Sequence, residues 1–186
     1  MGNTVSNVTF GKPQKTGAVY WAPSGTTLPS NASTALGTDF VCLGYVSEDG
    51  VVNSNSPSSD AVKAWGGDKV LTVSADKPDE WKLTLIEALN ANVLKAVYGD
   101  DNVTGTLSAG MAVKINRDDP GEHVVVVDML LRGDGVKRIV IPRGILSELG
   151  EVTYRDNEMI AYTCTVLAMT DSSGNDAYEY IKQPAS

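Results

Sequence analysis

The stretch from His123 to Pro142, HVVVVDMLLRGDGVKRIVIP, constrains the fold more than any other part of the chain. Two runs rich in β-branched residues flank Asp134-Gly135, a pair that accepts the positive φ values of a tight turn, so the segment predicts a β-hairpin. The same alternation recurs elsewhere. In EWKLTLIE, Trp81, Leu83 and Leu85 share one face while Lys82 and Thr84 take the other, the pattern of a half-buried strand, and DKVLTVSADK reads similarly. Gly, Asp and Asn punctuate these segments at short intervals, which predicts a mainly β fold of sandwich or barrel-like form.

Two strands are apolar on both faces. VVVVDMLL is interrupted only by Asp128, and EMIAYTCTVLAMT sets Ile160, Tyr162, Cys164, Val166 and Ala168 on one side and Met159, Ala161, Thr163, Thr165, Leu167 and Met169 on the other. Both are expected to be covered on two sides, by a second sheet of the same chain, by a neighbouring subunit, or by both. One short helix is expected in NANVLKAVYG, with Asn90 as N-cap, Val93, Leu94 and Val97 on one side and Gly99 as its stop. VVNSNSPSSDA, residues 51–61, has neither period nor apolar content and reads as a long polar loop. GAVYWAPSGTTLPSNASTALGTDF, from Gly17 to Phe40, joins two aromatics to a tail of small polar residues and reads as part of an extended arm over residues 1–39. With 186 residues and no linker-like break, residues 1–186 are expected to form a single domain.

Composition narrows the function. A hydrophobic fraction of 42% with 20% charged residues is that of a folding chain, and a net charge of −8 disfavours tight binding to nucleic acid, which depends on clustered Lys and Arg. MGNTVSNVTF has neither a basic start nor an apolar export core, and no apolar run reaches bilayer length, so neither export nor a membrane partner is expected. MGNTVS fits the myristoylation pattern but no polybasic stretch follows it. Cys42 and Cys164 sit in strand-like stretches and read as small core residues, and the Asn-x-Ser/Thr triplets at Asn7, Asn31 and Asn102 as chance.

Catalytic machinery is not expected either. His123 is the sole histidine; Asp118, Asp119 and Glu122 in RDDPGEH, like Asp100-Asp101, read as charged turns; GDGVKR lacks the spacing of a phosphate loop. Arg132-Gly133-Asp134 matches an adhesion tripeptide but is explained by hairpin geometry. No enzymatic activity, cofactor or metal site is therefore expected. Trp21, Trp65 and Trp81, with Tyr20 and Tyr45, could form a sugar-stacking platform, though large aromatics in a β fold more often serve cores or interfaces.

The succession GAVYWAPSGTTLP, LGYVSEDGV, AWGGDKV, LTLIEALNANVLKAVYG, and then IVIPRG to AYTCTVLAMTD resembles the major tail proteins, or tail tube proteins, of long-tailed bacteriophages and prophages, over nearly the whole chain. The resemblance implies a β-sandwich or barrel-like fold with one flanking helix, six copies of which form a ring with a β-barrel channel. Stacked rings would form a tube that conducts DNA without binding it tightly. It also implies tape-measure, tail-terminator and baseplate or tail-tip partners, and a location in the virion tail after assembly in the host cytoplasm. In such proteins an N-terminal segment and a long loop carry contacts between copies. The matching interface positions are Tyr20, Trp21, Pro23, Leu28 and Pro29 in the first, and Val51, Val52, Ser54, Asn55 and Pro57 in the second. No C-terminal immunoglobulin-like domain is expected. The competing reading is another virion or surface β-sandwich, such as a tail terminator, a decoration protein or a carbohydrate-binding module.

Overall fold

The computed structural model describes residues 2–56, 59–74 and 77–184. Its strands, in chain order, are β1 (Lys12–Pro13), β2 (Val19–Pro23), β3 (Val41–Cys42), β4 (Val46–Asn55), β5 (Ser59–Lys63), β6 (Lys69–Ser74) and β7 (Asp79–Leu85). After helix α1 (Ala91–Tyr98) come β8 (Val103–Thr106), β9 (Gly110–Val113), β10 (Glu122–Leu130), β11 (Val136–Leu149), β12 (Tyr162–Ala168) and β13 (Tyr178–Lys182). Nine of the strands form one sheet in the order β3-β2-β10-β11-β12-β7-β4, with β1 beside β10 and β13 beside β11. Every pairing is antiparallel. The chain is therefore mainly β, as the alternation predicts, and its large sheet stays open.

The central hairpin forms between β10 and β11, but its turn lies one residue earlier than the sequence suggests. Gly133 and Asp134, not Asp134 and Gly135, take the positive φ values, 72° and 60°, and Leu131 N–H donates to the Gly135 carbonyl at 2.7 Å. A two-residue turn at Asp134-Gly135 would set Asp128 opposite Ile141. The loop actually formed, Arg132, Gly133 and Asp134, sets Asp128 opposite Arg138. Helix α1 follows the expected caps: the Asn90 side chain accepts from Asn92 N–H at 3.0 Å, and the N–H of Gly99 closes the last turn on the Lys95 carbonyl.

One sheet face is covered along its length. Val93, Leu94, Ala96 and Val97 of α1 join the same core as Trp21, Val125, Ile139, Leu83 and Val166. The opposite face divides in two. Over β2, β10 and the first part of β11, Ala22, Val124, Val126 and Val140 are buried beneath Leu36 and Phe40 of the segment that follows β2, together with Tyr178 and Tyr180 of β13. That satisfies the expectation that VVVVDMLL is covered twice, from within the chain. Over β12, β7 and β4 it is otherwise. In β12 only Tyr162, Cys164, Val166 and Ala168 are buried, while Thr163, Thr165 and Leu167 remain half-exposed.

Three further expectations need correction. Residues 51–55 are not loop but the end of β4, paired with β7 from Val51↔Leu83 to Asn55↔Asp79. Ser59 to Lys63 are strand β5, paired with β6. The polar run hides its strands because, Val51 apart, its described side chains pack against no core and impose no alternation. Likewise the described side chains of β6 show no buried face, since Val70 and Leu71, on opposite faces, are 60% and 58% exposed. The arm expected over residues 1–39 also contains an inner strand: β2 lies between β3 and β10.

Candidate assembly surfaces

The positions singled out in sequence fall at the two ends of the strand order. At one end, Trp21 is buried in the main core and lies against the His123 ring, centroids 4.4 Å apart, while Tyr20 packs into the smaller core on the other face. Burial holds the His123 imidazole below its ordinary pKa. Pro23 is exposed at the end of β2, Leu28 sits at the surface and Pro29 is half-buried. At the other end, β4 brings Val51, Val52, Ser54 and Asn55 into one strand, with Val51 turned to the core and Val52 exposed. Pro57 lies outside the described residues. The two groups are thus separate surfaces rather than one site.

What sequence reasoning missed is a buried ion pair that ties the segment after β2 to the sheet. Arg138 Nε and Nη2 donate to the two carboxylate oxygens of Asp128 at 2.6 and 2.7 Å, and both side chains are about 95% buried. The remaining guanidinium nitrogen, Nη1, donates to the carbonyls of Asn31 and Thr34 at 3.1 and 2.8 Å. A charge-assisted, bidentate pair so placed satisfies both groups and holds residues 31–34 as a strap over the sheet. Asp128 stood out in the sequence as the one polar residue of its run. Its partner became findable only with the correct register.

The uncovered part of this face has a different chemistry. Across β4, β7, β12 and the end of β11 it presents Val52 and Ser54, then Glu80, Lys82 and Thr84, then Thr163, Thr165 and Leu167, then Ile145 and Glu148. Thr84 and Thr163 share a hydrogen bond of 3.0 Å across it. It mixes the hydroxyls of Ser54, Thr84, Thr163 and Thr165 with apolar Val52, Leu167 and Ile145, and acids outnumber the lone lysine of this set. The sheet also ends in two strands, β3 and β4, that pair on one side only among the described residues. Unpaired edges of this kind invite continuation by another strand.

Strands β5 and β6 form a separate two-stranded ribbon that ends at Ala64 to Asp68, where Ala64 N–H donates to the Asp68 carbonyl and Gly67 N–H to the Ala64 carbonyl. Trp65 at this tip is fully exposed, whereas Trp21 and Trp81 are buried. The three tryptophans therefore form no common sugar-stacking platform.

Side chains capable of chemistry are occupied structurally. Burial pushes the Cys164 thiol up to about 12, so it is an inert core residue at neutral pH. Glu122 is held by the Arg143 guanidinium, with contacts of 2.9 and 2.6 Å, and this lowers its pKa. Asp171 accepts from Tyr178 Oη at 2.6 Å and is lowered in the same way. Among the described residues no group of three or more His, Cys, Asp or Glu converges as a metal site.

The fold and surfaces define a mainly β structural protein. A family model described as phage tail tube protein matches residues 13–185, and the chain belongs to that family. It is accordingly a structural component of the phage tail rather than an enzyme. Among solved structures, the cryo-EM structure of the anti-feeding prophage cap (AFP tube terminating cap) is similar to it at 10% identity and a TM-score of 0.44, covering 98% of this chain and 100% of that one. No curated protein matches the sequence.

Proposed function

We propose that this chain is the repeating subunit of a phage tail tube, joining edge to edge into six-membered rings that stack around a channel for DNA. The carrying observation is the open sheet: β3 at one end and β4 at the other leave two different edges free, the arrangement a heterologous ring contact uses. Closing the sheet through neighbouring copies would make a barrel that a single chain cannot make.

The uncovered hydroxyl-bearing face then supplies the channel lining. Thr84, Thr163 and Thr165 offer hydration without the clustered cations that bind phosphate, and Glu80 and Glu148 repel it. Val52, Ser54 and Asn55 contribute to the joining edge. Pro23, Leu28 and Pro29 remain contact positions beside the other edge, with Tyr20 and Trp21 supporting them from beneath. Tape-measure, terminator and tail-tip proteins would meet the ends of the assembled tube, after assembly in the host cytoplasm.

Electron microscopy of the purified protein tests the reading. Six-fold rings or hollow tubes are expected. A species that stays monomeric under every condition that polymerises tail tube proteins overturns it.

A further inference from the structure

Strand β4 is an edge strand broken by a bulge. Val46 pairs with Leu85 and Val51 with Leu83, so Ser47, Glu48, Asp49 and Gly50 all stand opposite the single residue Thr84 of β7. Val46 and Val51 nevertheless both pack against the main core. An odd number of positions apart, they would face opposite ways in a regular strand, and the inserted residues turn both inward. Gly50 closes the bulge with a φ of 69°, and a Cβ built on it would meet nothing within 4 Å, so this corner stands clear of its surroundings. Glu48 and Asp49 are exposed beside it.

Past the bulge the strand is regular. Val51 to Asn55 pair without interruption with Leu83 to Asp79, and the Asn53 side chain reinforces the pairing by donating to the Asp79 carboxylate at 2.5 Å and to the Glu80 carbonyl at 3.2 Å. The other edge of this stretch pairs with no strand among the described residues. A long regular edge accepts a partner strand in several registers two residues apart, each of which keeps the same side chains on the core face. A short regular edge that ends in a bulge and two carboxylates restricts that choice. Within the subunit the bulge is a cost, because it interrupts the β4–β7 ladder and leaves Ser47 Oγ buried with no hydrogen-bond partner among the described residues.

We infer that the bulge is a register stop for the joint between copies: the edge strand of a second copy of this chain pairs along Val51–Asn55 and is halted at Gly50. Heterologous pairing closes a ring only when every joint has the same register, since a slipped joint changes the rotation between copies and leads to an open chain. The inference rests on the tube reading and deepens it by assigning the part of the β4 edge that takes the neighbour and the feature that fixes its register.

Deletion of Glu48, Asp49 and Gly50 tests it. The deletion leaves Ser47 alone opposite Thr84 and keeps Val46 and Val51 on the core face of a regular strand, so the free subunit is expected to melt no lower than the parent. Its polymers are expected to lose the uniform diameter of the parent's in electron micrographs and to include open or irregular assemblies. Amide hydrogen exchange of the unaltered protein gives a second reading: on assembly, peptides covering Val51–Asn55 are expected to slow about tenfold or more, while Glu48–Gly50 keep the rate of the free subunit. Should the deletion variant melt lower than the parent, exchange alone decides. Tubes of the parent's diameter from a stably folded deletion variant, or exchange that slows as much at Glu48–Gly50 as at Val51–Asn55, overturn the register stop while the tube reading stands. If the parent protein forms no polymer, the tube reading and the register stop fail together.

Discussion

One face of the large sheet is closed over half its width and open over the other half. On the closed half, beneath residues 31–40 and flanked by Tyr178 and Tyr180 of β13, the side chains are Ala22, Val124, Val126 and Val140, fastened by the Asp128–Arg138 pair. On the open half, Thr84, Thr163, Thr165, Glu80 and Lys82 stand where a cover would be. Backbone and pairing are continuous between the halves, so the difference lies only in side chains. The closed half is built to be finished within one chain, and the open half is compatible with water or another copy.

The sharpest way to break that contrast is to cut the closed half's fastening. Arg138→Leu leaves the Asp128 carboxylate buried without its partner and frees two carbonyls of the strap, so a loss of about 3–5 kcal/mol is expected in denaturant titration. Proteolysis within residues 24–40 should accelerate in the same variant. Trp21→Ala attacks the same half from the main core, with an expected loss of about 3–5 kcal/mol for a buried tryptophan. An unchanged unfolding midpoint would mean that Trp21 serves the surface rather than the core.

Much of the buried structure was legible in sequence, because burial writes itself into periodicity. Trp81, Leu83 and Leu85 alternate as a strand does, Asn90 and Gly99 bracket the helix, and the doubly apolar run of β10 announces two covers. The Asp128–Arg138 pair was not legible, since the three-residue loop that replaces the expected two-residue turn moves the partner of Asp128 from Ile141 to Arg138 and with it every cross-strand neighbour. The ribbon was not legible for the opposite reason. Val51 apart, the described side chains of residues 51–63 pack against no core, so little there must alternate, and a polar strand looks like a loop. For the candidate surfaces, residues 51–55 were singled out as contact positions but not read as strand.

An intermediate effect is expected where the two halves share a support. Gly44, between β3 and β4, takes a φ of 73°, and a Cβ there would run into the Glu87 carboxylate. Gly44→Ala combines left-handed strain with displacement of Glu87 from Tyr45 and Asn90, and a loss of about 1–2 kcal/mol from the backbone alone is expected in chemical denaturation. A neutral result would show that the Glu87 contacts are not holding this corner.

A smaller, pH-dependent effect belongs to His123, stacked on Trp21. Its folded pKa lies below the ordinary 6.5, so the unfolded chain takes up the proton first as pH falls. The stability contribution is complete above 6.5 and is lost as pH drops from there towards the folded value. Melting temperatures measured between neutral pH and mild acid should therefore fall, and His123→Asn should flatten the upper part of that fall. The carboxylates Glu122 and Asp171, lowered by Arg143 and Tyr178, add a separate loss at more acidic pH that His123→Asn leaves in place.

The smallest expected stability change comes from the same substitution that should be among the most damaging at Trp21. Trp65→Ala removes an indole that touches water on every side, and a surface change of that kind is worth no more than about 0.5 kcal/mol in either direction. Urea titrations of the two alanine variants beside the parent protein make the comparison directly: a shifted midpoint for Trp21→Ala and a superimposable curve for Trp65→Ala. If Trp65→Ala destabilises the isolated subunit as Trp21→Ala does, the ribbon tip folds back onto its own chain and the division between a self-sufficient half and an outward-facing one is wrong. If the curves separate, Trp21 holds the core while Trp65 contributes nothing to the stability of the subunit, and the contrast between the two tryptophans stands.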